Sequence, residues 1–303
     1  MYTPSIEDTR PSFRGPAEET PIEAAETRPR RRPRRRSGAL FLGLVLGVSA
    51  AVYFLSPIRT NVLVLGTDRR PGEGPTARSD SLILTTVIPT VPYVGMLSIP
   101  RDLWVEVPGA GPNRINTAYF LAEAQQPGTG AAAAVETVRT NFGVDVNAYV
   151  VIEFTGFVRF VDALGGVTIE LDRPMGGYPA GKHHLDGTQA LAFARDRKDG
   201  DDFFRMEHGQ ILVRSLLRTV VSPLTWPRWP LALPALLTAV RTDLSPLEWP
   251  RLALAVLRAG PSRIDSRAIG RDMVQGFRTD AGAQVLAPDW SRINPVLLEM
   301  FGQ

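Results

Sequence analysis

Three apolar runs of strand length follow one another early in the chain, and charged residues close each of them. Residues 61–66 (NVLVLG) are continuous enough for a strand buried on both faces, and Thr67, Asp68, Arg69, Arg70 and Pro71 follow as a polar turn. Arg78, Ser79 and Asp80 stand directly before a second run at 81–88 (SLILTTVI). Residues 89–92 then turn the chain into a third run at 93–99 (YVGMLSI), which ends at Pro100, Arg101 and Asp102. Residues 103–107 extend that edge, 108–113 read as a Gly/Pro loop, and a helix opens around Arg114 and Asn116.

Farther on, helical and strand spacing alternate. A helix is expected over 131–141, a strand over 148–154 (AYVVIEF), a helix over 155–164 stopped by Gly165 and Gly166, and a short strand over 167–171. Residues 185–197 place Arg195 and Arg197 after an Ala-rich helical turn, 199–202 are acidic, and 203–220 form a helix with Arg205 near its start. His183 and His184 read as a loop pair. Ser245, Pro246 and Glu248 resemble a capping box for a helix to 258, residues 264–269 and 284–286 are strand candidates, and Asp289 caps a last helix to 301. The Trp- and Pro-rich stretch 226–240 reads as core, too short to span a membrane. Strands alternating with helices predict a layered α/β fold, and the 89–92 hairpin makes the sheet mixed, partly antiparallel and flanked by helices.

The N-terminal pattern is different. Residues 1–36 are rich in Pro, Glu, Thr and Arg and lack the apolar content to offset ordering entropy, so a disordered tail is expected there. They end in a run of arginines, and residues 37–56 (SGALFLGLVLGVSAAVYFLS) follow without a charge. A helix of that length rises about 30 Å, which suits a single transmembrane signal anchor. The basic flank puts the tail in the cytoplasm and a domain over 60–303 outside, tethered close to the membrane.

Charge and composition narrow the partners. The tail holds nine Arg against six acidic residues, which leaves 25 basic and 25 acidic residues for everything after it, so the net +3 belongs to the tail. A neutral folded part gives no support to a nucleic-acid partner. The absence of Cys excludes disulfides and thiol chemistry, and the three His stand at no metal-ligand spacing.

One Arg-Ser-Asp tripeptide is more often a loop tie than a site, but clusters on three neighbouring strand ends point to chemistry. Guanidiniums bind phosphate oxygens in forked geometry, and carboxylates hold a hard cation that keeps waters and ligand oxygens. Arg205 near a helix start would add to an anion site. The residues by themselves support a diphosphate or polyphosphate ligand at the outer membrane surface.

NVLVLGTD, ARSDSLIL, LSIPRD, NRINTAY, FTGFVRFVDALGGVTI, HLDGTQALAFARDR and FRMEHGQ, in that order, closely resemble the LytR-CpsA-Psr (LCP) proteins of bacterial envelopes, most strongly over 61–220. The resemblance implies transfer of a glycopolymer from a polyprenyl diphosphate carrier to peptidoglycan. It assigns Asp68 and Asp80 to Mg²⁺, with Mn²⁺ as the alternative. It assigns Arg78, Arg101, Arg195, Arg197 and Arg205 to the diphosphate, with Arg114 where a Lys is usual. Asp102 is either the base toward an acceptor hydroxyl or, at least equally, a structural partner of Arg101. The family's R-x-x-R-Q-Q reads Arg205, Met206, Glu207, His208, Gly209, Gln210, which leaves Gln210 to supply the polar contact. A lipid diphosphate hydrolase and a non-catalytic lipid-diphosphate-binding regulator are the competing functions.

Overall fold

The charged strand ends of the sequence come together at one end of a six-stranded mixed sheet. The computed structural model describes residues 36–55, 59–68, 79–91, 93–196, 202–260 and 263–302. It divides into two units, Met1–Ser49 and Ala50–Gln303. A 20-residue helix, α1 (Arg36–Leu55), runs across that division. Its Phe41, Leu42, Leu44 and Leu46 are exposed. Among the described residues no helix is long and apolar enough to cross a membrane. Of the tail expected over 1–36, Arg36 opens α1 and residues 1–35 lie outside the described residues, as do Arg78 and Arg197.

In the second unit the three N-terminal runs become β1 (Thr60–Thr67), β2 (Ser79–Ile88) and β3 (Tyr93–Ile99). A hairpin of β4 (Trp104–Val107) and β5 (Gly111–Arg114) follows, then α2 (Thr117–Gln125), α3 (Gly130–Phe142) and β6 (Ala148–Glu153). Next come α4 (Phe154–Leu164), β7 (Val167–Leu171), β8 (Gly181–Leu185), α5 (Gly187–Arg195) and α6 (Asp202–Val221). A short 3₁₀ turn leads to α7 (Trp229–Ala239), β9 (Val240–Thr242) and α8 (Glu248–Ala259). The chain finishes with β10 (Ile264–Ala268), β11 (Val274–Arg278), β12 (Gln284–Pro288) and α9 (Trp290–Phe301).

The sheet order is β10-β3-β2-β1-β6-β9. β1 runs parallel to β6 and β10 parallel to β3, while the other neighbours are antiparallel. Alternation along the strands gives each face its own core. Leu63, Leu65, Leu84 and Leu97 pack with Val138 of α3 and Leu297 and Phe301 of α9. Ile83, Val94 and Met96 face the other way, against Val213 and Leu217 of α6 and Val256 and Ala259 of α8. Full burial of each such side chain contributes about 1.5–3 kcal/mol, so both helical layers are held by the sheet.

Several sequence expectations shift. β2 begins at Ser79, so Asp80 lies inside the strand and not ahead of it. Residues 103–113 do not extend β3: Gly109 and Gly111, with φ of 78° and 71°, turn the chain into the separate β4–β5 hairpin. His183 and His184 lie on β8, paired with β7, and not in a loop. α8 starts three residues after Ser245; Glu248 Oε2 accepts from the Ser245 N–H at 2.7 Å, but the Ser245 side chain makes no cap. The 226–240 stretch is only half core: Ala232 and Ala239 are buried, whereas Trp226, Leu231 and Leu237 are more than half exposed. Asp289 caps α9 as expected, accepting from the Ser291 N–H at 3.1 Å.

Candidate functional site

β1 delivers Asp68 just past its last residue, and β2 delivers Asp80 beside it through a break in pairing. Gly66 pairs with Ser81 and Thr67 with Ser79, so Asp80 is the extra residue of a β-bulge. Such a bulge re-aims a side chain that regular pleating would fix on one face. Arg101 and Asp102 follow β3. α5 brings Arg195 at its last position, after a capping box in which the Asp186 carboxylate accepts from the Gln189 N–H and the Gln189 side chain accepts from the Asp186 N–H. α6 brings Asp202 and Arg205 in its first turn.

These side chains form two groups, Asp68 with Arg195 and the others linked through Arg101. Arg195 Nη2 lies 2.6 Å from Asp68 Oδ2 and its guanidinium stacks on the Phe154 ring, 5.1 Å from the centroid. Arg101 Nη1 donates to Asp80 Oδ1 at 3.0 Å, and its Nε stands 3.1 Å from Asp202 Oδ1 and 3.6 Å from Asp102 Oδ2. Arg205 is buried, contacts the Asp202 carboxylate and donates to the Asp80 carbonyl at 3.1 Å. Arg114 Nε lies 3.1 Å from Asp102 Oδ1 while its Nη2 donates to the Gln284 carbonyl at 2.9 Å. Burial pushes the Asp202 carboxyl above the usual carboxylate range, and the Arg205 and Arg101 charges oppose that rise.

The network is not self-satisfied. Thr67 Oγ1, Ser79 Oγ, Arg101 Nε, Arg114 Nε and Asp202 Oδ2 are buried polar atoms without a hydrogen bond among the described residues. Arg101 Nε and Arg114 Nε each still face a carboxylate oxygen at 3.1 Å. A cavity of about 230 Å³ lies at the site, lined by Asp80, Phe154, Arg195 and Arg205.

Of the sequence-predicted residues, Asp68, Asp80, Arg101, Asp102, Arg114, Arg195 and Arg205 are brought together. Gln210 is not: its amide donates to Ser98 Oγ at 3.1 Å and to the Arg267 carbonyl. The helical period explains why, since five residues turn about 140° from Arg205 around α6. His208, in place of the family's second Arg, is fully buried and stacks on Phe193 of α5 with ring centroids 4.7 Å apart. It joins the two helices that carry Arg195 and Arg205. Asp202 was not singled out from sequence, although its place three residues before Arg205 was a usable signal.

Among the described residues no three His, Asp or Glu side chains gather as a metal cage. The donor set nevertheless fits Mg²⁺, which is bound by one or two carboxylates together with substrate phosphates and waters. The Asp68–Arg195 and Asp80–Arg101 pairs are each neutral. A divalent cation for the carboxylates and the two ionised phosphates of a diphosphate diester for the guanidiniums would leave that balance unchanged.

Residues 56–294 match the model of the LytR_cpsA_psr family. Over 168 residues the chain is 36% identical to the polyisoprenyl-teichoic acid–peptidoglycan teichoic acid transferase TagU of Oceanobacillus iheyensis, covering 54% of this chain and 52% of that one. The regulatory protein MsrR of Staphylococcus aureus is 30% identical over 172 residues, covering 54% and 50%. The chain thus spans about half the length of these curated relatives. Among solved structures, B. subtilis TagV superposes with a TM-score of 0.66 at 24% identity over 82% of this chain and 98% of that one. TagT bound to LIIa-WTA gives 0.65 at 23% identity over 81% and 91%. These two share the fold.

Proposed function

The chain belongs to the LytR-CpsA-Psr family, and on that premise we propose that it transfers a glycopolymer from a polyprenyl diphosphate carrier to peptidoglycan. The observation that carries this reading is the gathering of Arg101, Arg195 and Arg205 on the carboxylates of Asp80, Asp68 and Asp202, beside a cavity walled by Asp80, Arg195 and Arg205. Such donors, fixed before the ligand arrives, suit the spread-out charge of a phosphoryl-transfer transition state, where position and charge stabilisation do most of the work. Arg101, Arg195 and Arg205 hold the diphosphate, with Arg78 and Arg197 joining from segments outside the described residues. Asp68 and Asp80 hold Mg²⁺, which when bound supplies neutralisation of phosphate charge. Asp102 takes the proton of the acceptor hydroxyl. The charge-free segment 37–56 anchors the chain with its tail in the cytoplasm and its catalytic domain outside.

The test is direct. Full-length protein is incubated with a lipid-linked oligosaccharide, Mg²⁺ and a peptidoglycan acceptor, and the products are identified by mass spectrometry. A glycan–peptidoglycan adduct together with polyprenyl phosphate is the expected result, lost in excess EDTA and in Asp80→Ala. Free glycan phosphate with no adduct supports a hydrolase instead. The relative named as a regulatory protein favours a second reading, a binding regulator, which predicts tight ligand binding with no turnover at all.

A further inference from the structure

A second, larger cavity of about 520 Å³ adjoins the site. Its lining combines Arg101, Asp102 and Asp202 of the site with Phe203, Phe277 and Gln284. Phe277 and Gln284 belong to the β11–β12 hairpin, which the motifs of the N-terminal half do not include. The hairpin is fixed to the site by backbone contacts. The Leu286 N–H donates to the Asp102 carbonyl at 3.1 Å, and the Gln284 carbonyl accepts from Arg114 at 2.9 Å. Phe277 meets Trp104 edge-on with ring centroids 6.1 Å apart, yet it remains 38% exposed toward the cavity side.

Three features decide what fits. A volume within the usual 300–1,000 Å³ of small-molecule sites admits a ligand and not merely water. Five charged or amide side chains, counting Arg278, stand beside Phe203, Phe277, Val285 and Leu286, so the wall suits a ligand with both polar groups and an apolar face. An exposed aromatic face next to a carboxylate and an amide is the chemistry that receives a sugar ring, whose C–H face packs on the aromatic while its hydroxyls find polar partners. One ion pair links the two cavities, because Arg101 lines this one and donates to Asp80 of the smaller one at 3.0 Å.

We propose that this groove seats the acceptor glycan, an N-acetylhexosamine chain lying on Phe277 with a free hydroxyl directed at Asp102. The assignment rests on the phosphoryl-transfer reading above and supplies its missing second substrate site. In-line displacement needs separate places for nucleophile and leaving group, and two distinct cavities at the site, one lined by Arg101 and Asp102 and one by Arg195 and Arg205, meet that need. The acceptor oxygen bonds to the glycan-bearing phosphorus, and its proton passes to Asp102. The bond from that phosphorus to the bridging oxygen breaks, and polyprenyl phosphate leaves with the electron pair.

Two probes separate this groove from the diphosphate site. Full-length protein in detergent is titrated calorimetrically with an oligomer of β-linked N-acetylglucosamine, and independently with farnesyl diphosphate and Mg²⁺. Phe277→Ala and Gln284→Ala should each weaken the oligosaccharide about tenfold, a loss of roughly 1.4 kcal/mol, and leave farnesyl diphosphate binding unchanged. Phe277→Trp should retain the oligosaccharide. Unaltered oligosaccharide affinity in both Ala variants overturns the groove, as does wild-type protein that binds farnesyl diphosphate but not the sugar, an outcome that leaves the diphosphate site standing. Wild-type protein that binds the sugar through Phe277 but not farnesyl diphosphate keeps the groove and sinks the diphosphate site. Binding of neither sinks both.

Discussion

Arg101 follows β3 and Arg267 lies on β10, the strand paired with it, and each guanidinium meets more than one carboxylate. Their donors are used very differently. Arg267 forks onto Glu299 with both contacts at 2.7 Å, while its Nε reaches both oxygens of Asp265 at 3.1 Å. Those hydrogen bonds, to Glu299 first and then Asp265, push its pKa still further up. Arg101 contacts three carboxylates with no fork, and its Nε, though close to two of them, has no hydrogen bond among the described residues. One network is closed and holds α9 to the sheet; the other is open and borders two cavities. Proximity of Arg to Asp therefore says little about function by itself.

The contrast can be broken most easily at Arg205. Its removal leaves the buried Asp202 without its nearest cation, a loss of about 3–5 kcal/mol in stability as well as of ligand affinity. Urea unfolding should show that loss and a partial recovery in the Arg205→Ala/Asp202→Asn pair. An equal loss in Arg267→Ala would erase the distinction between the networks.

Arg101→Ala and Arg195→Ala sharpen it from the other side. A charge-assisted contact to an anion is worth about 1.5–3 kcal/mol, so polyprenyl diphosphate affinity should fall by one to two powers of ten, with turnover falling further in single-turnover assays. Arg→Lys should rescue poorly because the ammonium lacks the fork. Wild-type binding in both Ala variants would show that no shared clamp exists. Arg267→Ala should leave binding intact and cost at most about 1 kcal/mol of stability, an amount that shrinks in high salt, since Glu299 is mostly exposed.

The smallest effect is in the pH dependence. Burial, and then a 3.0 Å hydrogen bond to Asp265, push the Tyr93 hydroxyl from 10.0 to about 12. The folded state thus holds this proton where the unfolded chain has lost it. The contribution is fully present below pH 10 and is lost as pH rises toward 12. Tyr93→Phe should flatten the decline in melting temperature across that window, and an unchanged profile would show that Tyr93 is not its source.

Much of this was legible in the sequence because buried strands bounded by charge announce themselves. β3 matches the expected run 93–99 residue for residue, and Asp68, Arg101 and Asp102 fall at strand ends as read. What escaped had weak local signals. β8 buries only Leu185, so GKHHL carries no alternation to detect. β12 falls on the expected strand at 284–286, but β11 is mostly exposed, and the hairpin's part in the site depends on tertiary contacts to Asp102 and Arg114. Gln210 was placed in the site by motif order alone, which ignores where α6 turns each side chain.

The bulge that turns Asp80 makes the site sensitive to chain length as well as to residue identity. Removing Ser79 or Ser81 would restore regular pairing opposite Gly66 and Thr67 while keeping every downstream apolar position in register. Such a protein would fold on the same core, yet its carboxylate would sit one pleat away from Arg101. A single-codon deletion at this point should therefore separate folding from activity more cleanly than any substitution, and chains in which the step is lost are expected to keep the scaffold for some other purpose.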